Sequence, residues 1–402
     1  MALSWSRSSA VGCGLVPVVR AGNVRSEKRC VRGVQVRAAV ASASKIADTM
    51  RYNKLGDSDL LISEITLGTM TWGNQNTEKE AHEQLCYAFD NGINIFDSAE
   101  VYPIPMTPET TGRTDKFIST WLKTMPRDKV IVATKVAGYS ENRTYIRDNG
   151  KTVRVDEENI TESVDKSLKR LGTDHIDLLQ IHWPDRYVPL FGEKYFDPQN
   201  MREAVPIVEQ LEALKKVIDQ GKVRYVGVSN ESSWGVMEFT RVAEQLNLPK
   251  IVSIQNSYSL LVRTMFEVDL VEVCHPDNCN VGLLAYSPLG GGALTGKYTN
   301  PENTTGRFNI FPGYMARYNK GLAREAVGLY VELAKKHNLS PVELALGFCR
   351  DRPFVTSSII GATSLEQLKE NMDAFAVTRP LPDEVKAGID EIFKRYRDPA
   401  FI

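Results

Sequence analysis

Polar side chains with the means for acid–base chemistry stand at places in the sequence where short apolar runs end. Asp97 ends one such run, and Tyr102 follows it five residues later. Lys135 ends a second run and His182 ends a third. In a parallel barrel, catalytic side chains come from the carboxyl ends of several strands. The spacing therefore predicts that these side chains face one cavity.

The types of these side chains suit proton transfer to or from an oxygen atom. A phenol has an unperturbed pKa near 10, so Tyr102 is a weak acid at neutral pH. The ammonium of Lys135 is expected to lower this pKa, and the carboxylate of Asp97 would fix the lysine. His182 would be a second donor that orients a carbonyl oxygen. Because no side chain can supply a hydride, the site implies a nicotinamide cofactor.

Each of these residues also has a purely structural interpretation. Asp97 fits a helix cap, Lys135 a solvated strand end, and His182 a hydrogen-bonded core imidazole. Taken singly, the structural interpretation is favoured. Their occurrence together at consecutive strand ends favours a functional site.

The apolar runs that carry these side chains belong to an alternation that continues along most of the chain. Amphipathic stretches with helical periodicity separate the runs, as in 78–91, 160–171 and 208–218. The pattern predicts an α/β fold, a single (β/α)8 TIM barrel over residues 52–402. The apolar runs lie near 65–69, 94–97, 130–135, 176–182, 223–229, 251–256, 281–286 and 357–361.

Further elements are predicted around this alternation. Two short β-like pieces on either side of Gly56 predict an N-terminal hairpin, and 382–396 predicts an extra C-terminal helix outside the barrel. Long segments at 138–155 and 184–205 are predicted to shape a binding site. The alternative fold is a doubly wound open sheet, but no glycine fingerprint follows Leu67.

Composition excludes several classes of protein. The 402 residues have a formal net charge of -1, which gives no reason to expect nucleic acid or an acidic membrane surface as a partner. No apolar run approaches the roughly 18 residues of a membrane-spanning helix. Six scattered cysteines favour a reducing compartment over a disulfide framework. Cys274 and Cys279 are close in sequence, but without a second ligand pair no metal site is predicted.

The first 45 residues differ in composition from the rest. They are rich in Arg and Ser and contain one acidic residue, Glu27, which is typical of an organelle transit peptide. The sequence around Ala38 resembles a plastid processing site, so we expect a chloroplast protein cleaved near that residue. Targeting to mitochondria is the next interpretation, and a basic tail without a targeting function is another.

Several segments resemble the aldo-keto reductase family, and the resemblance covers nearly all of 52–402. Residues 96–102, 133–135 and 179–185 resemble the family's catalytic segments. The resemblance implies that Tyr102 is the acid/base, assisted by Asp97, Lys135 and His182. The closest branch resembles the Tas-type reductases, which are also related to potassium-channel β subunits, and the chain resembles a plant, plastid-targeted member.

The resemblance also implies an NADP(H) site. Ser229 and Asn230 would hold the nicotinamide amide beside Gln255, and Tyr286 would stack on the nicotinamide ring. Residues 360–371 would form an adenosine-binding turn. The implied cofactor-binding residues are Thr69, Met70, Asp97, Ser229, Asn230, Gln255, Tyr286, Ser287, Pro288, Leu289, Gly290, Gly291, Lys297, Arg307, Gly361, Thr363, Gln367, Glu370 and Asn371.

The adenosine turn departs from the pattern of the small-substrate reductases. Gly361-Ala362 and Gln367 stand where those enzymes have Lys-Ser and Arg, so the 2′-phosphate of NADP needs other cations. Lys297 and Arg307 match residues that serve this purpose in the channel-β-like branch, and NADPH is expected rather than NADH. Residues 291–297 nearly match the phosphate-binding loop of nucleoside triphosphatases. Tyr298, however, stands where that motif has Ser or Thr, so such an activity is not predicted.

Two functions from different classes follow from the resemblance. The first is NADPH-dependent reduction of a small-molecule carbonyl compound. The second is a cofactor-sensing auxiliary subunit with little catalysis. By the resemblance, channel subunits carry Asn at the position of His182. The histidine therefore favours the enzyme. An oligomer is possible but not indicated. Trp72, Tyr102, Trp183, Tyr187 and Phe191 suggest an apolar substrate wall, with a place in the core as the alternative for any of them.

Overall fold

The structure, a computed structural model, describes residues 48–193, 195–299, 306–377 and 379–401. The predicted transit peptide at 1–45 lies outside these residues. So do residues 300–305.

Eight parallel strands close into a barrel, as the sequence predicts. The strand order around the barrel is β10-β3-β4-β5-β6-β7-β8-β9, so each strand lies beside its neighbour in the chain. Two further strands, β1 and β2, form the predicted antiparallel hairpin. The strands are β1 (Tyr52–Lys54), β2 (Leu61–Ser63), β3 (Ile65–Gly68), β4 (Ile95–Asp97), β5 (Ile131–Val136), β6 (Ile176–Ile181), β7 (Val223–Ser229), β8 (Ile251–Ser257), β9 (Gly282–Tyr286) and β10 (Val355–Ile360).

Helices follow the strands and surround the barrel. The last of them covers the predicted C-terminal helix to within one residue at each end. The helices are α1 (Glu78–Asp90), α2 (Arg113–Leu122), α3 (Glu157–Leu171), α4 (Ile207–Asp219), α5 (Ser233–Leu246), α6 (Thr264–Glu267), α7 (Leu270–Val273), α8 (Arg307–Ile310), α9 (Gly321–Lys336), α10 (Pro341–Arg350), α11 (Leu365–Ala376) and α12 (Asp383–Arg395).

Local sequence explains where the long helices begin and end. At the start of α1, Thr77 accepts from the backbone of Glu80 while the glutamate side chain accepts from the backbone of Thr77, a reciprocal cap that satisfies two helix donors. The helix α3 begins at the cap Asp156 and ends at Gly172, which has a φ of 64°. A residue without a Cβ adopts that left-handed conformation without steric cost.

The hairpin closes the amino-terminal end of the barrel. Leu55, Leu60 and Ile62 pack in one buried cluster with side chains from inside the barrel, such as Ile95 and Leu178. Burying each of these side chains stabilises the fold by roughly 2 kcal/mol. Because the hairpin covers the amino-terminal end, the barrel is open at the carboxyl ends of its strands, where the candidate catalytic residues lie.

Candidate active site

A single large cavity opens at the carboxyl ends of the barrel strands. Its volume is about 2030 Å³, roughly twice the upper end of the range for pockets that hold a drug-sized ligand. The ends of the barrel strands and the loops that follow them, including the loop after β5, contribute to its wall. The cavity has room for a dinucleotide and a second small molecule together.

The centre of the site is a buried ion pair between Asp97 and Lys135. Lys135 Nζ lies 2.5 Å from Asp97 Oδ2 and also donates to the Ser98 carbonyl at 2.8 Å. The other carboxylate oxygen of Asp97 accepts from Gln255 Nε2 at 2.9 Å and from Gln180 Nε2 at 3.3 Å. Residues from three other strands therefore fix this carboxylate. A pair so completely hydrogen-bonded recovers much of the cost of burying two charges.

The phenol of Tyr102 lies beside this pair. The Lys135 ammonium lies 5.0 Å from the centre of the Tyr102 ring. The prediction that lysine lowers the pKa of the phenol is wrong for this structure, because burial and the negative charge of Asp97 raise the pKa of Tyr102 well above 10. Asp97 pairs with the ammonium and offsets its effect. Tyr102 is consequently protonated at neutral pH and able to donate a proton.

His182 faces Tyr102 from the strand end of β6. The two rings are 5.8 Å apart in an edge-to-face arrangement. Burial, with the positive charges of Lys135 and Arg143, holds the pKa of His182 well below 6.5, so the imidazole is neutral. Its Nδ1 is buried and has no hydrogen-bond partner among the described residues. Since His182 also lines the cavity, its neutral imidazole is placed to form a hydrogen bond with a ligand there.

The residues predicted to hold a nicotinamide form a connected group. Tyr286 Oη donates to Asn230 Oδ1 at 2.6 Å, and Asn230 Nδ2 donates to the His182 carbonyl at 2.8 Å. Ser229 Oγ donates to the Gln255 carbonyl at 2.7 Å. Asn230 adopts a φ of 53°, an uncommon backbone conformation that these contacts stabilise. The tyrosine ring is therefore fixed against the cavity.

Lys297 and Arg307, referred to below as the cation pair, line the same cavity beside a glycine-rich turn. Burial and the charge of Arg307 lower the pKa of Lys297, and burial lowers the pKa of Arg307. Gly291 and Gly292 have φ values of 65° and 99°, and a Cβ on Gly292 would lie 3.1 Å from Lys297 Nζ. Two partly desolvated cations beside an open backbone turn fit a phosphate group.

The predicted adenosine turn lies at the amino-terminal end of α11. Ser364 caps the helix by accepting from the backbone of Gln367. The Gln367 side chain in turn accepts from the backbone and the hydroxyl of Thr363, each at 3.1 Å. Asn371 Nδ2 donates to the Gly361 carbonyl at 3.4 Å. With Glu370, these residues line the cavity.

The structure brings nearly all the predicted site residues to the cavity wall. Lys135 is fully buried beneath the wall, and Gly290 packs against Leu261 and Tyr318. The predicted residues on the wall are Thr69, Met70, Asp97, Tyr102, His182, Ser229, Asn230, Gln255, Tyr286, Ser287, Pro288, Leu289, Gly291, Lys297, Arg307, Gly361, Thr363, Gln367, Glu370 and Asn371.

Of the aromatic residues predicted to form a substrate wall, four do so. Tyr102, Trp183, Tyr187 and Phe191 line the cavity. Trp72 does not; for this residue the core alternative holds, because its side chain is fully buried between the barrel and the helices. The long segments 138–155 and 184–205 contribute to the wall as predicted.

Several residues of the site escaped the sequence analysis. Gln180 binds Asp97, and its signal was available, since a polar residue inside the apolar run of β6 needs a buried partner. Arg143, Tyr314 and Arg317 line the cavity from loops without regular periodicity. No local pattern in the sequence marks them.

No group of three or more His, Cys, Asp or Glu side chains within 48–193, 195–299, 306–377 and 379–401 is placed to hold a metal ion. No helix in the same residues has the length and apolar character needed to cross a membrane.

Comparison with known proteins identifies relatives of the whole barrel. A family model described as "Aldo/keto reductase family" matches residues 64–394. "Protein tas" of Escherichia coli (strain K12) is 43% identical over 356 residues, covering 87% of this chain and 100% of that protein. "Aldo-keto reductase" of Babesia bovis is 41% identical over 281 residues, covering 67% and 98%. "Probable voltage-gated potassium channel subunit beta" of Arabidopsis thaliana is 30% identical over 352 residues, covering 86% and 97%.

Proposed function

Because this chain belongs to the aldo/keto reductase family, and is thus an oxidoreductase by family, we propose that it reduces aldehydes or ketones to alcohols with NADPH. The observation that carries this proposal is the arrangement at the cavity floor. A protonated Tyr102 and a neutral His182 face each other above the buried pair of Asp97 and Lys135.

Each of these residues has a distinct role in the proposed reaction. Tyr102 donates its proton to the carbonyl oxygen of the substrate as negative charge develops there. The nearby ammonium of Lys135 stabilises the phenolate that remains, and Asp97 keeps the ammonium in place. His182 donates a second hydrogen bond to the same oxygen and orients it. A bound nicotinamide supplies the hydride.

The cavity residues support a phosphorylated nicotinamide dinucleotide as the cofactor. Ser229, Asn230 and Tyr286 would hold the nicotinamide end. The cation pair would bind the 2′-phosphate, because arginine and lysine next to a phosphate relieve the cost of their own desolvation. NADPH is therefore the proposed cofactor rather than NADH.

An auxiliary-subunit function is the second candidate. The Arabidopsis relative carries the name of a potassium channel β subunit, at 30% identity. His182 distinguishes the two functions, since by the resemblance channel subunits have Asn at that position. An imidazole placed against the Tyr102 ring favours the enzyme.

We also propose that residues 1–45 direct the chain to the chloroplast stroma, as their Arg-rich and acid-poor composition suggests. A fusion of 1–50 to a fluorescent protein should enter chloroplasts of leaf cells, with cleavage near Ala38. Accumulation in mitochondria or in the cytosol would contradict this address.

Turnover and cofactor binding together test the reductase proposal. Tryptophan fluorescence of the protein cleaved near Ala38 should be quenched by NADPH at lower concentration than by NADH. The NADPH complex should then oxidise its cofactor when a panel of aldehydes is added. Binding without any turnover favours the auxiliary-subunit function, and failure to bind either dinucleotide would contradict both.

A further inference from the structure

Arginines between β5 and α3 differ sharply in their partners. Arg147 binds both oxygens of Glu100, at 2.8 and 2.9 Å, and is almost completely buried. Arg154 binds both oxygens of Asp185, at distances from 2.8 to 3.2 Å. Each of these guanidinium groups thus has a carboxylate in the fork-like geometry that planar donors favour.

Arg143, in the same segment, has no such partner. Its guanidinium donates to Ser140 Oγ at 2.9 Å and lies 5.4 Å from the centre of the Trp183 ring. Among the residues that the structure describes, no carboxylate lies within ion-pairing distance of it. A guanidinium has five N–H donors, so most of those of Arg143 lack a protein acceptor in the described part of the chain.

Two acidic residues in the loops of the cavity wall, Glu141 and Glu193, have other contacts. Glu141 accepts from Tyr139 Oη at 2.5 Å. Glu193 accepts from the backbone N–H of Leu190 at 3.4 Å. Neither of these carboxylates neutralises Arg143.

The position of Arg143 relates it to the reacting end of the site. It lines the cavity together with Tyr102, His182 and Trp183. The Trp183 ring, on which the guanidinium stacks, lies 4.9 Å from the His182 ring. The charge of Arg143 also contributes to the lowered pKa of His182. A ligand whose carbonyl oxygen meets His182 and Tyr102 would therefore have Arg143 beside it.

We propose that Arg143 binds a carboxylate on the substrate, so that the favoured substrates are aldehydes or ketones that also carry a carboxylate group. The inference rests on the proposed reductase function and deepens it. Trp183 holds the guanidinium in place and supplies an apolar surface for the carbon chain or ring between the two polar groups. The carboxylate provides the acceptor that Arg147 and Arg154 already have within the protein.

The test compares matched aldehydes that differ in one charge. We would measure kcat/KM for 3- and 4-carboxybenzaldehyde and for the corresponding methylbenzaldehydes, with NADPH. The wild type should prefer at least one carboxylated isomer, and Arg143→Gln should reduce that preference about 10- to 100-fold, the effect of losing a charge-assisted bidentate contact. Arg143→Lys, which keeps the charge without the fork, should retain part of the preference.

Lys151→Gln is the matched control. It removes one positive charge from the same segment, but its side chain is exposed and does not line the cavity. The control should keep the wild-type preference. An equal loss in Lys151→Gln, or a preference unchanged in Arg143→Gln, would overturn the inference.

A binding measurement separates this inference from the reductase proposal. The wild type should bind 3- or 4-carboxybenzyl alcohol more tightly than the methylbenzyl alcohols, as measured by tryptophan fluorescence, and Arg143→Gln should lose the difference. That result supports the anion site even if no aldehyde is turned over, in which case only the reductase proposal fails. Equal binding of charged and neutral alcohols by the wild type would overturn the inference while leaving the reductase proposal intact.

Discussion

Charge is arranged differently in two parts of the cavity. At the floor, Lys135 is paired with Asp97 at 2.5 Å, and two glutamine side chains complete the contacts of the carboxylate. In the cation pair, burial lowers the pKa of both Lys297 and Arg307, and the charge of Arg307 adds to the effect on Lys297. The floor is held by an ion pair and hydrogen bonds within the protein, whereas burial disfavours the charged forms of the cation pair, which a bound anion would favour.

This difference indicates a division of labour. Groups that must keep one geometry through a reaction are held by partners from several strands, which cost no reorganisation when charge develops. Groups that hold a removable cofactor are partly desolvated in the protein alone. Binding of a phosphate beside them is therefore expected to be favourable in free energy. Substitutions at the floor should therefore impair chemistry and stability, while substitutions in the cation pair should impair cofactor binding alone.

The largest effect is expected at the proton donor. Tyr102→Phe removes the hydroxyl that gives up the proton, so kcat should fall by about 10²- to 10⁴-fold. The dissociation constant for NADPH should stay within about twofold, because the ring is retained. Stopped-flow NADPH oxidation and fluorescence titration measure the two quantities. Retained turnover would contradict the role of Tyr102 as the proton donor.

The next effect tests the buried ion pair. Lys135→Met leaves the Asp97 carboxylate buried without its cation, so unfolding in urea should become easier by about 3–5 kcal/mol. Reductase activity should be lost with it.

The surface pair of Lys215 and Asp219 serves as the control for this change. Both side chains are substantially exposed, so Lys215→Met should cost less than about 1 kcal/mol. Equal destabilisation by the two substitutions would remove the distinction between the floor and the protein surface.

Substitutions in the cation pair should weaken the binding of NADPH but not that of NADH. Lys297→Met and Arg307→Met should each weaken NADPH binding by about 10- to 100-fold, because each removes a charge-assisted contact to the 2′-phosphate. NADH binding and unfolding by urea should change little. Lys320→Met, an exposed lysine outside the cavity wall, is the control and should leave both affinities unchanged. Equal losses of affinity for NADPH and NADH would show that the cation pair does not bind the 2′-phosphate.

The smallest expected effect is the pH dependence of stability due to His182. The pKa of His182 lies well below 6.5 in the folded protein, so below about pH 6.5 the unfolded chain binds more protons than the folded chain. Stability due to this group is therefore present above that pH and is lost as the pH falls towards the folded pKa. Between pH 7 and pH 5 the wild type should lose about 1 kcal/mol more than His182→Gln. Urea unfolding at both pH values measures the difference, and identical losses would contradict a neutral, buried imidazole.

The barrel and most of the cavity wall could be predicted from the sequence because they depend on short-range patterns. Apolar runs such as 176–182 mark the strands, and a polar residue at the end of a run, such as His182, marks the face on which it lies. Parallel topology then brings these ends together whatever the details of the loops. Strand β10 began two residues earlier than its predicted run, which affects no site residue.

The remaining features depend on contacts between distant segments, which no local pattern records. The pKa of Tyr102 is raised and not lowered as predicted, first because the phenol is buried and second because the charge of Asp97 acts on it. The sequence leaves both the cavity wall and the core open for Trp72, and the packing of helices α1 and α2 decides for the core. Arg143 became recognisable only when the carboxylate partners of Arg147 and Arg154 were known.

Transfer of deuterium from labelled cofactor tests the central claim most directly. The protein would be incubated with an aldehyde and NADPH deuterated at both C4 hydrogens of the nicotinamide, and the alcohol analysed by mass spectrometry. We predict an alcohol with a single deuterium on the former carbonyl carbon, formed by the wild type and almost absent with Tyr102→Phe. An alcohol without deuterium, or equal amounts from both proteins, would contradict hydride transfer from the nicotinamide coupled to a proton from Tyr102.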